Sequence, residues 1–99
     1  MRLFDWFNAR EATQFGHAMA AYLAERLPKA EAAPGKKADK KRAEALVGLF
    51  AQAERFRLSH KPNLFKKAKL GNAFKWSLLD LGYEKDFVDE VTKELLLRL

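Results

Sequence analysis

The chain has 99 residues, a net charge of +6, no cysteine and two histidines. Sixteen alanines and fifteen leucines stand against three valines, two threonines and no isoleucine. This composition excludes a β-rich fold, because Ala and Leu lead the helix scale while strands draw on β-branched and aromatic residues. The missing cysteines exclude a disulfide framework, a thiolate metal site and a cysteine nucleophile, and the length allows one domain over residues 1–99.

The chain opens on a dense apolar cluster, Leu3, Phe4, Trp6 and Phe7, without obvious helical length. Asp5 stands where a signal peptide begins its apolar region. No apolar run approaches the roughly 18 residues that a membrane span needs, so the sequence predicts a cytoplasmic protein. Asn8 and Glu11 have the spacing of a capping box and predict a first helix near 9–27. At 100° per residue, Ala12, Phe15, Gly16, Met19, Ala20, Tyr22, Leu23 and Leu27 share one face, opposite Arg10, Gln14, Ala21 and Glu25. Ala12, Gly16, Ala20 and Ala24 recur every four residues, a spacing that lets another helix approach closely. Pro28 ends this helix.

Two prolines, a glycine and no large apolar residue predict a flexible linker over 28–37. The second helix is expected near 38–59, with Asp39 as a cap or first-turn acid. Its core stripe reads Ala43, Leu46, Val47, Leu49, Phe50, Ala53 and Phe56. Arg57 falls inside that stripe, so either the helix frays before it or Arg57 needs an acidic partner.

Asn63 can cap a third helix near 64–81. Its apolar residues cover about two-thirds of the circumference, which implies neighbours on most sides. Lys67, Asn72 and Lys75 fall inside that arc, and a kink at Gly71-Asn72 resolves the conflict. The competing arrangement is a helix–turn–helix with the turn at Gly71-Asn72. Gly82 is a stop, and a fourth helix over 84–98 turns Phe87, Val88, Val91 and Leu95 inward. The fold expected is an all-α bundle of four helices. Leu96, Leu97 and Leu99 leave the last helix apolar on more than one side. With Leu3, Phe4, Trp6 and Phe7 they either close the core or form an apolar interface for a dimer.

Charge is unevenly placed. Residues 29–42 carry a net +4, residues 61–75 a net +5 with no acid, and residues 76–99 a net −3. A field polarised in this way attracts polyanions and steers association. The candidate polyanion contacts are Lys61, Asn63, Lys66, Lys67, Lys69 and Lys75, with Lys36, Lys37, Lys40, Lys41 and Arg42 in the first block. The second block holds five lysines and no arginine, which favours phosphate contact over base reading. Asn63 and Asn72 are of the type that reads base edges, and in the helix–turn–helix arrangement residues 73–81 form the recognition helix. The alternative is that the acidic last helix lies over the second block and cancels it.

Catalysis finds no support in these residues. His17 and His60 lack metal-ligand spacing, Ser59 and Ser77 lack a nucleophile context, and Pro34-Gly35-Lys36-Lys37 lacks the spacing of a phosphate loop. Neither cofactor nor metal is implied. The acids of the last helix read as an exposed flank. The sequence therefore reads as a non-enzymatic helical interaction module, a protein–protein adaptor or homodimer. The alternative is a basic nucleic-acid-binding protein that sets the 61–75 lysines on phosphates. A membrane partner is disfavoured, since the N-terminal cluster has no run of basic residues beside it, only Arg2 and Arg10.

Overall fold

A computed structural model of the chain describes residues 3–32 and 39–99, and over residues 3–9 the course of the backbone alone. The described residues are all-α and contain no strand. The helices are α1 (Leu3–Arg26), α2 (Lys29–Ala32), α3 (Asp39–His60), α4 (Leu64–Asp80) and α5 (Lys85–Leu97).

Three boundaries follow the sequence signals. Asn63 is the N-cap of α4, its side-chain oxygen accepting from the Lys66 backbone N–H at 2.9 Å. Gly82 takes a φ of +94° in the turn after α4, a conformation that glycine adopts without strain. Asp39 lies in the first turn of α3 and pairs with Arg42 at 3.0 Å. Two expectations are corrected. The helix does not start after Asn8, because α1 already begins at Leu3 and no proline or glycine stands between Leu3 and Asn8 to break it. The stretch expected as linker is helical over Lys29–Ala32, with Ala32 buried, while residues 33–38, including Lys36 and Lys37, lie outside the described residues.

Side-chain contacts fix how the helices run. Tyr22 meets Gly48, the Phe15 and Phe56 rings pack tilted with centroids 4.5 Å apart, and Glu11 reaches His60 at 3.7 Å, so α3 is antiparallel to α1. Gly16 touches Leu70 and Ala73, His17 meets Ser77, and the Tyr83 hydroxyl donates to the Leu27 carbonyl, so α4 runs parallel to α1. Gly71 abuts Leu96 and Lys75 approaches Asp89, so α5 is antiparallel to α4. Arg98 lies 4.0 Å from the Phe50 ring and joins α5 to α3. Two antiparallel pairs, α1/α3 and α4/α5, are thus joined through a parallel α1–α4 seam.

The core lies between these four helices. Met19, Leu23, Leu27, Leu49, Leu70, Phe74, Leu78, Val88 and Leu95 are fully buried. The face expected for α1 is the one observed, down to the exposed Arg10, Gln14, Ala21 and Glu25 opposite. The phase of α3 is rotated from expectation. Ala45, Leu49, Ala53 and Phe56 form the buried stripe, at spacings of four, four and three, while Ala43 and Val47 are exposed. The rotation carries Arg57 to the surface, where it faces Glu54 at 3.6 Å, and the helix runs past it to His60.

α4 is one continuous helix through Gly71 and Asn72, so residues 73–81 form no separate recognition helix. Its buried arc is narrower than its apolar arc. Leu70, Gly71, Ala73, Phe74 and Leu78 are inside, while Leu64, Phe65, Trp76 and the flanking Leu81 are exposed.

Candidate interaction surface

The described part of the first basic block, residues 39–42, and the start of the second block at Lys61 lie at opposite ends of α3. Residues 39–42 begin α3 beside Glu31, and Lys61 follows the other end of the same helix. All of α3, 22 residues, is about 33 Å long. In the first block Lys41 pairs with Glu31 at 2.8 Å, Arg42 pairs with Asp39, and Lys40 is exposed.

The second block is divided by the helical phase of α4. Lys61 is exposed in the turn before it, with a φ of 45°. Lys66 and Lys67 are half-buried, and Lys69 is exposed, its ammonium 5.5 Å from the Phe65 ring. Lys75 is half-buried, 3.8 Å from Asp89 of α5 and 5.8 Å from the Trp76 ring. α5 therefore reaches one lysine of this block and leaves Lys69 uncovered. Asn63 spends its side-chain oxygen on the cap and is not placed to read a base.

A feature that the sequence arc concealed is the outward face of α4. Phe65, Lys69, Asn72 and Trp76 are all exposed and follow one another at spacings of four, three and four. They form one stripe that points away from α1 and from the core. Phe65 is 48% and Trp76 58% exposed, values at which an aromatic ring offers a large contact area at small cost in side-chain entropy. Each ring has a lysine beside it. The burial pattern within α4 was the missing signal, since exposed and buried leucines look alike in a sequence.

Of the expected terminal interface, Leu96, Leu97 and Leu99 face different ways. Leu99 is buried in the core, and Leu96 is half-buried against Gly71. Leu97 faces outward and is 72% exposed. The side chains of Leu3, Phe4, Trp6 and Phe7 lie outside the described residues.

Two further contacts shape the surface. The His17 Nδ1 and Ser77 Oγ atoms are 2.6 Å apart across the α1–α4 seam. Asp89 accepts a hydrogen bond from Lys85 at 3.1 Å, and that bond, with the charge behind it, raises the Lys85 ammonium above its ordinary range. Among the described residues no group of three or more His, Asp and Glu side chains is placed to hold a metal ion. No helix among them is long and apolar enough to cross a membrane. No family model, no curated protein and no solved structure matches the chain.

Proposed function

We propose that this chain is a non-enzymatic interaction module that binds another protein surface through the outward face of α4. The observation that carries the reading is the exposure of Phe65 and Trp76 on one helix face. Aromatic residues are enriched in protein interfaces, and Trp is among the residues that most often anchor them. The His17–Ser77 contact does not support catalysis, because both side chains sit at the exposed seam and a nucleophile–base pair also needs an orienting group and oxyanion donors. The reading places the chain in the cytoplasm, in keeping with its cysteine-free composition.

A photo-crosslinking residue at position 65 or 72 tests it in cells that produce the chain. Discrete protein adducts are expected there and not at Ala21, which is exposed on the far side of α1. The absence of protein adducts at both α4 positions overturns the reading.

One observation favours the nucleic-acid alternative: Lys61 and Lys69 are both exposed, Lys69 next to the Phe65 ring. The opposed basic blocks and the committed Asn63 leave it a sequence-independent phosphate contact. Three or four lysines give a slope of log K against log salt of roughly −3 to −4. A fluorescence-anisotropy titration with random DNA and RNA at low salt tests it, and no binding at tens of micromolar protein removes it.

A further inference from the structure

One end of the bundle gathers exposed apolar side chains from three helices. Glu11 beside His60, Gly16 beside Leu70 and Gly71 beside Leu96 set the last turns of α3 and α5 level with the first turns of α4. Leu58, Leu64, Phe65 and Leu97 therefore lie within about 10 Å of one another along the bundle axis. All four are exposed, and Leu64 and Leu97 are the two most open large apolar side chains among the described residues.

The same end is basic. From Arg55 to Leu79 the chain has seven cations and no acid. The side-chain carboxylates nearest this end are already engaged: Glu11 faces His60, Glu54 faces Arg57 and Glu94 holds Arg98. Among the described residues no carboxylate comes within ion-pair distance of Lys61, Lys66, Lys67 or Lys69. The backbone of α1 begins at this end too, and its first five residues include Leu3, Phe4, Trp6 and Phe7. The sequence disfavours a membrane because no run of basic residues adjoins that cluster along the chain. Folding brings the lysines that begin α4 to the same end.

We infer that the chain docks by this end on an anionic lipid surface, its exposed leucines entering the headgroup layer and the lysines of residues 61–69 meeting lipid phosphates. Leu58 lies opposite the buried stripe of α3 and Phe65 opposite that of α4, so the two leave the bundle on different sides. One flat protein face cannot cover groups so arranged. A fluid lipid layer can, because it closes around groups that share a depth, and the depth needed matches the roughly 5–10 Å to which interfacial helices sink. Glu84 and Asp86 begin α5 at the other end, away from the anionic surface. Trp76, about 18 Å along α4 from Leu64, stays clear of the lipid and open to a protein partner.

Cosedimentation of the whole chain with phosphatidylcholine vesicles containing about 30% phosphatidylserine tests the docking. Half of the chain is expected on the vesicles at about 0.1–1 mM lipid in low salt, and binding is expected to weaken as salt rises from about 50 to 500 mM. Pure phosphatidylcholine is expected to bind at least about tenfold less. Lys61→Gln with Lys69→Gln is expected to weaken binding about 25-fold, near fivefold for each lysine. Leu64→Ser with Leu97→Ser is expected to weaken it about tenfold and to leave its salt dependence unchanged. Circular dichroism checks the helix content of both pairs, and Leu64→Ser alone replaces the leucine pair if that content falls.

The absence of cysteine lets an environment-sensitive dye be placed at single sites. A dye at Leu64→Cys is expected to shift to the blue on the anionic vesicles, and one at Ala43→Cys, exposed near the far end of α3, is expected not to. No binding at about 2 mM lipid overturns the inference. So does binding that ignores the leucines, or an equal shift of both dyes, since charge alone then holds the chain in no fixed orientation. A chain that binds random RNA and leaves the vesicles free overturns it as well. The protein-binding reading of the α4 face stands or falls separately, on the adducts at positions 65 and 72.

Discussion

Gly16 of α1 stands so close to Leu70 of α4 that a Cβ at position 16 would overlap the Leu70 carbonyl oxygen and lie 2.9 Å from the Ala73 Cβ. The obstacle is backbone, which cannot rotate away. Alanine gains up to about 1 kcal/mol over glycine from helix propensity, but forcing atoms into a packed seam costs about 1–3 kcal/mol or more. Gly16→Ala is therefore expected to destabilise the fold by about 2 kcal/mol. Gly48 supplies the contrast, since the group that crowds it is the Tyr22 hydroxyl, the far end of a side chain. Gly48→Ala is expected to cost less than half as much. Urea denaturation of both variants checks the order.

The hydroxyl of Tyr83 donates to the Leu27 carbonyl across the end of the bundle, and burial pushes its phenol above the ordinary value of 10.0. As pH rises, the unfolded chain therefore releases this proton first. Stability from the neutral phenol is fully present below pH 10 and is lost as pH climbs toward the raised folded value. Tyr83→Phe is expected to cost about 1–3 kcal/mol at pH 7, through the lost bond and the stranded carbonyl. It is also expected to remove this residue's part of the decline above pH 10. Thermal melts of both proteins from pH 8 to about 11 measure the two effects separately.

Leu78 is fully buried, Phe50 is half-buried under the Arg98 guanidinium, and Val47 is 69% exposed. Leu78→Ala is expected to cost about 2–5 kcal/mol through lost burial and the cavity left behind. Phe50→Ala should fall below it, at about 1–3 kcal/mol, since the ring is already partly wet and loses a cation contact with part of its burial. Val47→Ala should lie within about 0.5 kcal/mol of wild type. Chemical denaturation of the three variants checks the ranking, and a costly Val47→Ala would reverse the phase given to α3.

The Asn63 side chain satisfies one of the open N–H groups at the start of α4. Asn63→Ala is expected to cost about 1 kcal/mol, and Asn63→Asp to cost little, since aspartate caps equally well and suits the positive end of the helix. The pair separates capping from a nucleic-acid role, in which aspartate would be the worse change. Stability and DNA binding measured on both variants decide it.

How much of this was legible in the sequence varied with what set each helix's phase. In α1, Met19, Leu23 and Leu27 fix the inward face, and the small residues at every fourth position mark the side that α4 approaches. In α3 the large residues Leu46, Val47, Leu49 and Phe50 spread over about 160° of the helix, and the middle of that arc lies about a quarter turn from the buried stripe. The phase is decided by Ala45 and Ala53, whose burial carries little weight in a hydrophobic pattern. In α4 the apolar arc was read as core, whereas Phe65 and Trp76 face outward. Nothing local distinguishes an aromatic kept for the core from one kept at the surface. The capping spacing at Asn8 misled for a related reason: a cap needs a non-helical residue before the helix, and the residues ahead of Asn8 continue it.

The parallel seam between α1 and α4 bears on how the chain comes to be folded at all. Its contacts join residues far apart along the backbone: 60 positions separate His17 from Ser77, and 56 separate Leu27 from Tyr83. Closing so long a loop costs chain entropy before any burial offsets it. During synthesis, α1 and α3 emerge first and can meet as a hairpin. Leu23 and Leu27 then stay partly open to water until the last third of the chain leaves the ribosome. The α1–α4 seam thus forms only after α4 has left the ribosome, and a nascent chain stalled before residue 64 exposes the apolar face of α1 that α4 covers in the finished fold.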